Sequence, residues 1–585
     1  MTDSAIRAGG WGGRRVRLRH RLAAWIVTRG RPATGLVSQP EPRTIGAYAR
    51  GKQLCAGNFL FAGHLVEAKG REIWDIDLPS DAFAEALQGF AWLDDLAAVA
   101  DTAARARAQS WTAGWITRFG RGRGPGWTPE LTGRRLIRWI NHAPFLMSGQ
   151  GAAANAAFFR SLGQQTNFLA RRWKTAPAGL PRFEALTGLI YAGLSLTGME
   201  RHVEPARQAL GREAAARIDA GGGLASRNPE DLLEVFTLLT WSALAMRESG
   251  REAVPAHLDA IARIAPTLRA LRHADGGLAR FHGGGRGPEG RLDQALAESG
   301  VKTPPPAGLA MGYLRLAAGR TTVILDAAPP PRGPDSADAH ASTLAFEMTS
   351  GRRPVVVNCG PGAPFGPDWH RAGRATPSHS TLGIEGFSSA RLGPDGLLQR
   401  RGRRLLDDAP NDVRLDLQTG EDGSRVIAGH DGYVPTHGMT HVRELLLDPA
   451  GRVLSGEDTL GALTTADRKR FDVLMDRTGL SGIAFDLRFH LHPDVDAALD
   501  MGGTAVSLAL KSGEIWVFRH DGAAALRLEP SVHLERGRLK PRASRQIVLS
   551  ARVMDYACQL GWTFAKAQDT PAAIRDLERD DTTHF

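Results

Sequence analysis

Residue types that bind metals or transfer protons stand at both ends of a short predicted hairpin. His340 comes just before the first strand, 344–348, and Asn358 follows the second, 355–357. A further histidine, His379, lies downstream. Imidazole and amide groups can act as Zn²⁺ ligands or transfer protons, or they can form a hydrogen-bonded hub beneath a binding surface. The residues alone leave these alternatives open.

Tryptophan and arginine residues are close together in one part of the N-terminal half, among them Trp127, Arg135 and Trp139. Tryptophan rings can stack on the faces of sugar rings, and arginine binds anionic groups through two parallel hydrogen bonds. Tryptophan in a helical bundle is, however, usually a core residue. We therefore consider the three as candidates for binding an acidic sugar chain. The alternative is a core position for the tryptophans and a solvated surface position for the arginine.

The elements that position these residues are helices in the first half of the chain. From about residue 40 to 300 the apolar residues recur at helical spacing, and Phe183, Leu186 and Ile190 fall on one stripe. Glycine and proline residues interrupt the runs regularly. The pattern predicts antiparallel helical hairpins, which in sufficient number curve into a toroid or a solenoid.

The second half of the chain has a different pattern. Proline-rich stretches at 302–307 and 326–334 are followed by short β-rich runs, which glycine and aspartate turns separate. This spacing predicts a β-sandwich or a related antiparallel stack. The predicted division is a basic N-terminal segment (1–40), a helical domain (41–305), a linker with the first strands (306–340), a β-sandwich domain (341–565) and a C-terminal tail (566–585).

Composition and charge restrict the class of protein. The chain has 585 residues, of which 42% are hydrophobic and 23% charged, as expected for several packed domains. Its net charge of +11, in which arginine predominates, makes an acidic partner plausible. We expect no nucleic-acid partner, because no recognisable nucleic-acid module accompanies the charge. The glycine run at 283–287 lacks the preceding strand and the Lys-Ser/Thr of a phosphate loop, so we expect no nucleotide or other organic cofactor.

Cysteines and apolar runs exclude further classes. Three widely spaced cysteines support neither a disulfide framework nor a cysteine-rich zinc site. No window approaches the roughly 20 apolar residues that span a bilayer. The apolar run at 22–27, which follows several arginines, is too short for a secretion signal. Export is therefore not predicted from the first residues.

Several stretches, taken in order, resemble the heparinase II/III family of polysaccharide lyases. In the second half they are Asp338-Ala-His340, Phe346-Glu347, Val357-Asn358-Cys-Gly360, the stretch 369–381, His430-Asp-Gly-Tyr433, His441-Val-Arg443, Gly456-Glu-Asp458 and Phe489-His-Leu-His-Pro493. In the first half they are Phe90-Ala-Trp-Leu-Asp-Asp-Leu96 and the stretch 127–136. Together they extend over most of residues 60–565. The resemblance implies an α+β multidomain fold, in which an N-terminal α/α toroid (an incomplete helical barrel) precedes a C-terminal antiparallel β-sandwich.

The family's reaction is β-elimination, which neutralises a uronate carboxylate, removes the C5 proton and protonates the leaving oxygen. The resemblance implies that His340, His379 and Tyr433 are catalytic, and for Tyr433 the alternative is a structural tyrosine that packs a strand turn. Arg182 is a candidate neutraliser at a place where the family usually has Asn-His or Asn-Glu. Arg374 joins the substrate-binding candidates Trp127, Arg135 and Trp139. The tyrosine that the family often uses as a base is absent from the stretch 228–232.

The resemblance also implies a metal site in the β-domain. His340, Asn358 and His379 occupy its positions, but Asn358 replaces an aspartate, so an anionic ligand is lost and zinc affinity should fall. Zinc is thus an expectation, and a hydrogen-bonded pair of histidines at the domain interface is the alternative.

Two functions follow from the resemblance. The leading hypothesis is a lyase that cleaves an acidic, uronate-containing glycan in a cleft between toroid and sandwich. The alternative is a non-catalytic or altered-specificity relative that binds an anionic glycan. The resemblance indicates the cell envelope or periplasm as the compartment, and the N-terminus leaves the cytoplasm open.

Overall fold

A computed structural model describes residues 11–30, 32–394 and 404–570, and the first half of this chain is helical. The helices here are α1 (Trp11–Val27), α2 (Tyr48–Ala56), α3 (Asp81–Gly89), α4 (Trp92–Val99), α5 (Thr102–Phe119), α6 (Pro129–Asn141), α7 (Ala143–Met147), α8 (Ala152–Arg172), α9 (Leu180–Ser195), α10 (Val203–Arg217), α11 (Pro229–Glu248), α12 (Pro255–Ala270) and α13 (Arg291–Ser299). A small hairpin, β1 (Asn58–Phe61) and β2 (His64–Glu67), follows α2.

Local sequence explains where these helices begin. The side chains of Ser80, Asp101 and Thr128 accept hydrogen bonds from backbone N–H groups in the first turns of α3, α5 and α6. Asn228 does the same for α11, whose first residue is Pro229. Each cap satisfies a donor that has no partner within its helix.

Large aromatic side chains form the centre of the toroid. Trp92, Trp111, Trp115 and Trp139 are fully buried, and Trp139 stacks on Phe158 at 5.4 Å between ring centroids. α6 and α9 cross closely, since a Cβ at Gly188 would lie 2.5 Å from the Gly133 Cα. The predicted helical toroid is therefore present, with its aromatic residues inside.

The second half consists of strands joined by short turns and helices. The strands are β3 (Tyr313–Ala318), β4 (Thr321–Asp326), β5 (Phe346–Ser350), β6 (Arg353–Val357), β7 (Leu382–Ile384), β8 (Arg391–Leu392), β9 (Leu406–Asp407), β10 (Val413–Gly420), β11 (Gly423–Tyr433), β12 (Met439–Leu447), β13 (Val453–Gly461), β14 (Ile483–Leu491), β15 (Asp496–Asp500), β16 (Ala505–Ala509), β17 (Ile515–His520), β18 (Ala525–His533), β19 (Arg542–Val553) and β20 (Ala557–Gln568). In the described residues of this half, three α-helices interrupt the strands: α14 (Pro367–Gly373), α15 (Val434–His437) and α16 (Thr465–Arg477).

The strands form two large antiparallel sheets that share one core. In the described residues one sheet has the order β10-β11-β12-β13-β20-β17-β16-β15, and the other has β18-β19-β14-β6-β5-β4-β3 with β7 beside β14. Phe346 stacks on Trp562 across the two sheets, with ring centroids 5.8 Å apart. In β12, buried residues alternate with half-buried ones, as expected for a strand with one face on the core. This half is therefore the predicted antiparallel sandwich.

The toroid covers the outer face of the second sheet. Every residue of β4, β5 and β6 is buried, so these strands are covered on both faces. Ile324 and Ala345 belong to the same apolar cluster as the toroid core. The two domains therefore share a packed junction, and the candidate site lies in it.

Two segments outside the main helical and sandwich domains add detail to the predicted division. Within the N-terminal segment, α1 packs on α8 through His20, Ala24 and Val27, which are buried. The segment 306–340 contains β3 and β4, which are paired strands of the second sheet.

No helix in the described part of the chain is long and apolar enough to cross a membrane.

Candidate functional site

Three histidines meet at the junction of toroid and sandwich, and we call them the junction cluster: His282, His340 and His379. His282 belongs to the toroid segment between α12 and α13, whereas His340 and His379 belong to the sandwich. His340 Nδ1 lies 2.9 Å from His379 Nε2. The backbone N–H of His340 donates to His282 Nδ1 at 3.1 Å. The sequence-based pairing of His340 with His379 is thus present in the structure.

The hydrogen bonds assign the protons of this cluster. His379 Nδ1 lies 2.9 Å from the Ala375 carbonyl oxygen, so this nitrogen carries the proton and donates. His379 Nε2 then accepts from His340 Nδ1–H. Both rings are neutral in this arrangement and hold each other in place.

Burial keeps the cluster neutral. It lowers the pKa of His379 to about 4, and burial together with neighbouring histidines and Arg374 lowers the pKa of His340 well below its usual value. Burial and the Arg227 charge act in the same direction on the pKa of His282. At neutral pH none of the three is a protonated imidazolium, which is the form that could act as a general acid toward a leaving group.

An ion pair beside the cluster links the two domains. Arg227, which immediately precedes the N-cap of α11, donates to Asp326 Oδ1 at the end of β4. Its guanidinium also donates to the carbonyl oxygens of four sandwich residues, which are Met311, Gly312, Ala328 and Pro329. We call this set of contacts the arginine clamp. Ser342 and His282 face the other oxygen of Asp326, at 2.7 and 3.5 Å.

The backbone conformation of two residues also indicates that the junction is a fixed contact between the domains. Arg227 and His282 adopt left-handed conformations, with φ of 50° and 46°. Non-glycine residues adopt this region only where the surrounding contacts hold them there. Tyr313 supplies one such contact, because its hydroxyl donates to the Arg227 carbonyl oxygen at 2.6 Å. The junction is therefore built for fixed contact between the domains.

The gap between the domains beside the cluster is narrow. His273 and Arg280 line it from the toroid, and Glu347 and Val357 line it from the sandwich. It has no room for a water molecule. His273 Nε2 lies 3.0 Å from a Glu347 carboxylate oxygen, which joins the two walls. A glycan chain has no space here in this conformation.

The predicted metal ligands do not form a metal site in this geometry. The facing nitrogens of His340 and His379 are hydrogen-bonded to each other, and Asn358 Oδ1 accepts from the Ser380 backbone N–H at 2.9 Å. No group of three His, Cys, Asp or Glu side chains suited to a metal ion occurs in the part of the chain that the structure describes. The facing imidazole nitrogens are hydrogen-bonded to each other and the amide oxygen accepts from a backbone N–H, so in this conformation these groups are not directed at a common metal position. We therefore derive no chemical step through a metal.

Tyr433 lies inside the sandwich. It is fully buried, and its hydroxyl donates to the Leu382 carbonyl oxygen at 3.0 Å. Burial raises the pKa of Tyr433 above its ordinary value. A phenol in this position packs the end of β11 and has no access to a substrate. This matches the structural alternative for Tyr433 and not the catalytic role.

The Tyr433→Phe variant is therefore expected to stay folded and to lose about 1 kcal/mol of unfolding free energy, the net value of one hydrogen bond. Urea unfolding followed by circular dichroism measures this loss. A catalytic role would instead leave stability nearly unchanged and abolish turnover of a glycan that the wild type cleaves.

Arg182 and Arg374 are both engaged in structural contacts. Arg182 lies in the first turn of α9. It pairs with Glu213 at 3.1 Å and donates to the Ala176 carbonyl oxygen, and both contacts are within the toroid. Arg374 lies next to the junction cluster, but its buried guanidinium donates to the carbonyl oxygens of Ala339 and Ser336. Arg374 thus holds the segment that carries His340, and Arg182 is not brought to the cluster.

The remaining substrate-binding candidates are core residues. Trp139 and Arg135 are fully buried and Trp127 is 2% exposed, so none offers a surface to a sugar ring. The Arg135 guanidinium lies 4.0 Å from the ring centroid of Trp115 and donates to Gln165 and to the Gln88 carbonyl oxygen. The core alternative describes both tryptophans, whereas the burial of Arg135 matches neither sugar binding nor the solvated surface position expected as its alternative.

Sequence reasoning missed Arg227 and Asp326. It noted that His273 and His282 flank a loop that is either a helix cap and turn or part of the toroid mouth, but it did not join His282 to His340. The two partners are distant in the chain, since Arg227 and Asp326 are 99 positions apart. One signal was present, because an aspartate that ends a strand of apolar residues needs a partner when the strand is buried. Its partner was not identifiable from spacing.

Comparison with known proteins gives this geometry its context. Residues 300–563 match the family model described as heparinase II/III-like, C-terminal. The chain is 31% identical over 558 residues to FtsZ-localized protein C of Caulobacter vibrioides (strain NA1000 / CB15N), and the match covers 91% of each chain. The chain belongs to the heparinase II/III-like family.

Solved structures of this family share the fold. A heparinase III matches with a TM-score of 0.66 at 12% identity, covering 93% of this chain and 89% of that one. The heparan sulfate lyase HepC from Pedobacter heparinus matches with a TM-score of 0.54 at 13% identity, covering 96% and 89%. At such identities the likeness is one of architecture, a toroid followed by a sandwich.

Proposed function

We propose that this chain is a non-catalytic member of the lyase family, which acts as a binding protein in association with FtsZ. The observation that carries the proposal is the closed junction, where His340 and His379 are buried, neutral and hydrogen-bonded to each other. The closed junction favours a non-catalytic relative, the alternative that the sequence left open, over an active lyase.

The chemistry of β-elimination explains why closure matters. A base must reach the C5 proton, and a cation or hydrogen-bond donor must reach the carboxylate. In this chain Tyr433 donates to a carbonyl oxygen, Arg182 pairs with Glu213, and Arg374 binds backbone carbonyls. None of the groups assigned to the reaction is directed at a space that a uronate could enter.

The association with FtsZ rests on the relative from Caulobacter. That protein is named for its localisation with FtsZ, and the match extends over both domains of this chain. A family fold that has lost an open cleft can still serve as a binding surface, because function depends on the site and not on the fold. The compartment in this proposal is the one in which FtsZ assembles.

One experiment tests both parts of the proposal. In the first arm, the protein is incubated with heparan sulfate, chondroitin sulfate and alginate while the absorbance of the C4–C5 unsaturated product is followed. We expect a flat trace, with an active heparinase III as positive control. A rise in absorbance that disappears in His340→Ala would establish the lyase instead.

In the second arm, the protein is sedimented with and without FtsZ polymers. We expect it to enter the pellet only when FtsZ is assembled. Protein that stays in the supernatant at every FtsZ concentration would overturn the association. Titration with each glycan in the absence of FtsZ tests the remaining hypothesis, in which the chain binds an anionic glycan without cleaving it.

A further inference from the structure

The outer face of α1 presents an exposed apolar stripe. Leu18, Leu22, Trp25 and Ile26 are 67%, 54%, 46% and 40% exposed. Their spacing of four, three and one places them on one side of the helix. Among the described residues, the Arg29 guanidinium rests on the Trp25 ring, and all four side chains keep at least 40% of their surface exposed. Exposed side chains of this size in a continuous stripe indicate a contact surface for an apolar partner.

The inner face of the same helix is fixed to the toroid. His20, Ala24 and Val27 are buried, and the His20 ring lies 5.8 Å from that of Phe168 in α8. Arg172 Nε donates to His20 Nδ1 at 3.3 Å. The helix is thus held along one side, and the stripe faces away from the protein.

Positive charge surrounds the stripe. The segment 11–30 contains no acidic residue, and its exposed arginines include Arg15, Arg17, Arg19 and Arg21. A helix with a central apolar stripe and flanking arginines matches an interface where anionic headgroups lie above hydrocarbon. A protein partner of ordinary composition would have to supply a matching row of carboxylates.

A pocket lies at the C-terminal end of the helix. Its volume is about 260 Å³, and its lining is Ile26, Val27, Arg29, Gly30, Asn167, Arg171 and Arg201. Three of these seven residues are arginines and none is acidic. The Arg29 guanidinium rests on the Trp25 ring at 3.9 Å, and Arg201 donates to Asn167 Oδ1 at 3.1 Å. Guanidinium groups around an opening of this size suit a phosphate group.

We propose that α1 and this pocket form a docking site for a bilayer of anionic phospholipid, with the stripe at the acyl boundary and a headgroup phosphate among Arg29, Arg171 and Arg201. The site is separate from the junction cluster and does not depend on the FtsZ proposal. It uses two independent features, an apolar stripe and a basic pocket, that adjoin at Ile26 and Val27.

Flotation with vesicles tests this site with the full-length protein and no FtsZ. Vesicles of phosphatidylcholine with about 30% phosphatidylglycerol should carry the protein upward, whereas pure phosphatidylcholine should not, since electrostatic attraction adds to apolar insertion. Binding should weaken as salt is raised. Absence of flotation on the anionic vesicles would overturn the proposal.

Two variants separate the parts of the site. Leu22→Glu should weaken binding at least about ten-fold, because a leucine that no longer enters the acyl boundary loses its transfer free energy. Arg171→Ala should weaken binding to phosphatidylglycerol vesicles while leaving the stripe intact. Leu463→Glu in the sandwich, 65% exposed in the wild type, is the matched control and should bind like the wild type. Thermal unfolding confirms that each variant is folded.

Other occupants give different results. If the stripe were a contact between two copies of the chain, Leu22→Glu would convert a dimer to a monomer in light scattering, and vesicle binding would be absent. If the pocket took free phosphate only, calorimetry with inorganic phosphate would show binding that Arg171→Ala removes, again without flotation. Either result would overturn the lipid assignment.

Discussion

Replacing Asp326 with alanine is expected to lower the free energy of unfolding by about 3–5 kcal/mol, the usual cost of leaving a buried cation without its partner. Asp326 is fully buried, and it accepts hydrogen bonds from Arg227 and Ser342. Its loss leaves the guanidinium of the arginine clamp uncompensated at the domain junction. Urea unfolding followed by tryptophan fluorescence measures the change.

Two variants serve as controls for this result. Asp326→Asn keeps an acceptor for Arg227 and should cost less than the alanine variant. Glu444→Ala removes an exposed partner of Arg425 and should cost about 1 kcal/mol or less, because surface pairs contribute little. A loss of under about 1 kcal/mol in Asp326→Ala would show that the clamp does not hold the domains together.

The second large effect is expected from acid. Burial lowers the pKa of His257 and His379 to about 4 and that of His490 to about 3. The unfolded chain, in which histidine titrates near 6.5, therefore binds more protons than the folded chain between pH 6.5 and 4. Stability is fully present above this window and is lost as the pH falls through it.

The size of the acid effect follows from linkage. Each such ring contributes up to about 1.4 kcal/mol per pH unit within the window. The raised pKa values of Asp95 and Asp231, about 6 and 7, act in the opposite direction and reduce the total. For these five groups together we expect a net loss of about 2 kcal/mol between pH 7 and 5. Other buried histidines whose pKa burial lowers, such as His282 and His430, add to it, and urea unfolding at each pH measures the total.

A histidine variant identifies the source of that loss. His257 lies in the toroid, with its Nε2 2.9 Å from the Leu239 carbonyl oxygen. His257→Asn should reduce the pH dependence by the share of one ring, whatever its effect on stability at pH 7. An equal slope in wild type and variant would contradict the assignment of the acid effect to buried neutral histidines.

Much of the fold was predictable from local pattern. The stripe of Phe183, Leu186 and Ile190 gave a helix, and these residues are buried in α9. Alternation and turn residues predicted the strands of the sandwich. Both patterns are properties of short segments, whose apolar faces must be covered in any compact arrangement.

The site was predictable only in part. His340 and His379 meet as expected because each flanks a strand of one sheet. The exposure of Tyr433, Trp127 and Trp139 depends on how whole elements pack, and no spacing in the sequence encodes it. Tyr433 and the two tryptophans are therefore the candidates whose proposed contact with a substrate the sequence could not decide.

The arginine clamp also could not be predicted from spacing in the sequence. Arg227 and Asp326 come from different domains and meet only when β4 is covered by the toroid. A cleft and a packed junction can be made from similar residues, since arginine and histidine serve in both. Distinguishing them requires knowing which groups remain exposed to solvent.

Reaction with diethyl pyrocarbonate tests the closed junction most directly. The reagent modifies neutral imidazole, so a low pKa does not protect a histidine and only burial does. Mass spectrometry of the native protein should show His340 and His379 modified at least about 100-fold more slowly than the partly exposed His64 and His520, because reaction requires the junction to open. Modification of all four at similar rates, with His340 and His379 protected by a heparan sulfate oligosaccharide, would contradict the closed junction and indicate an accessible lyase site.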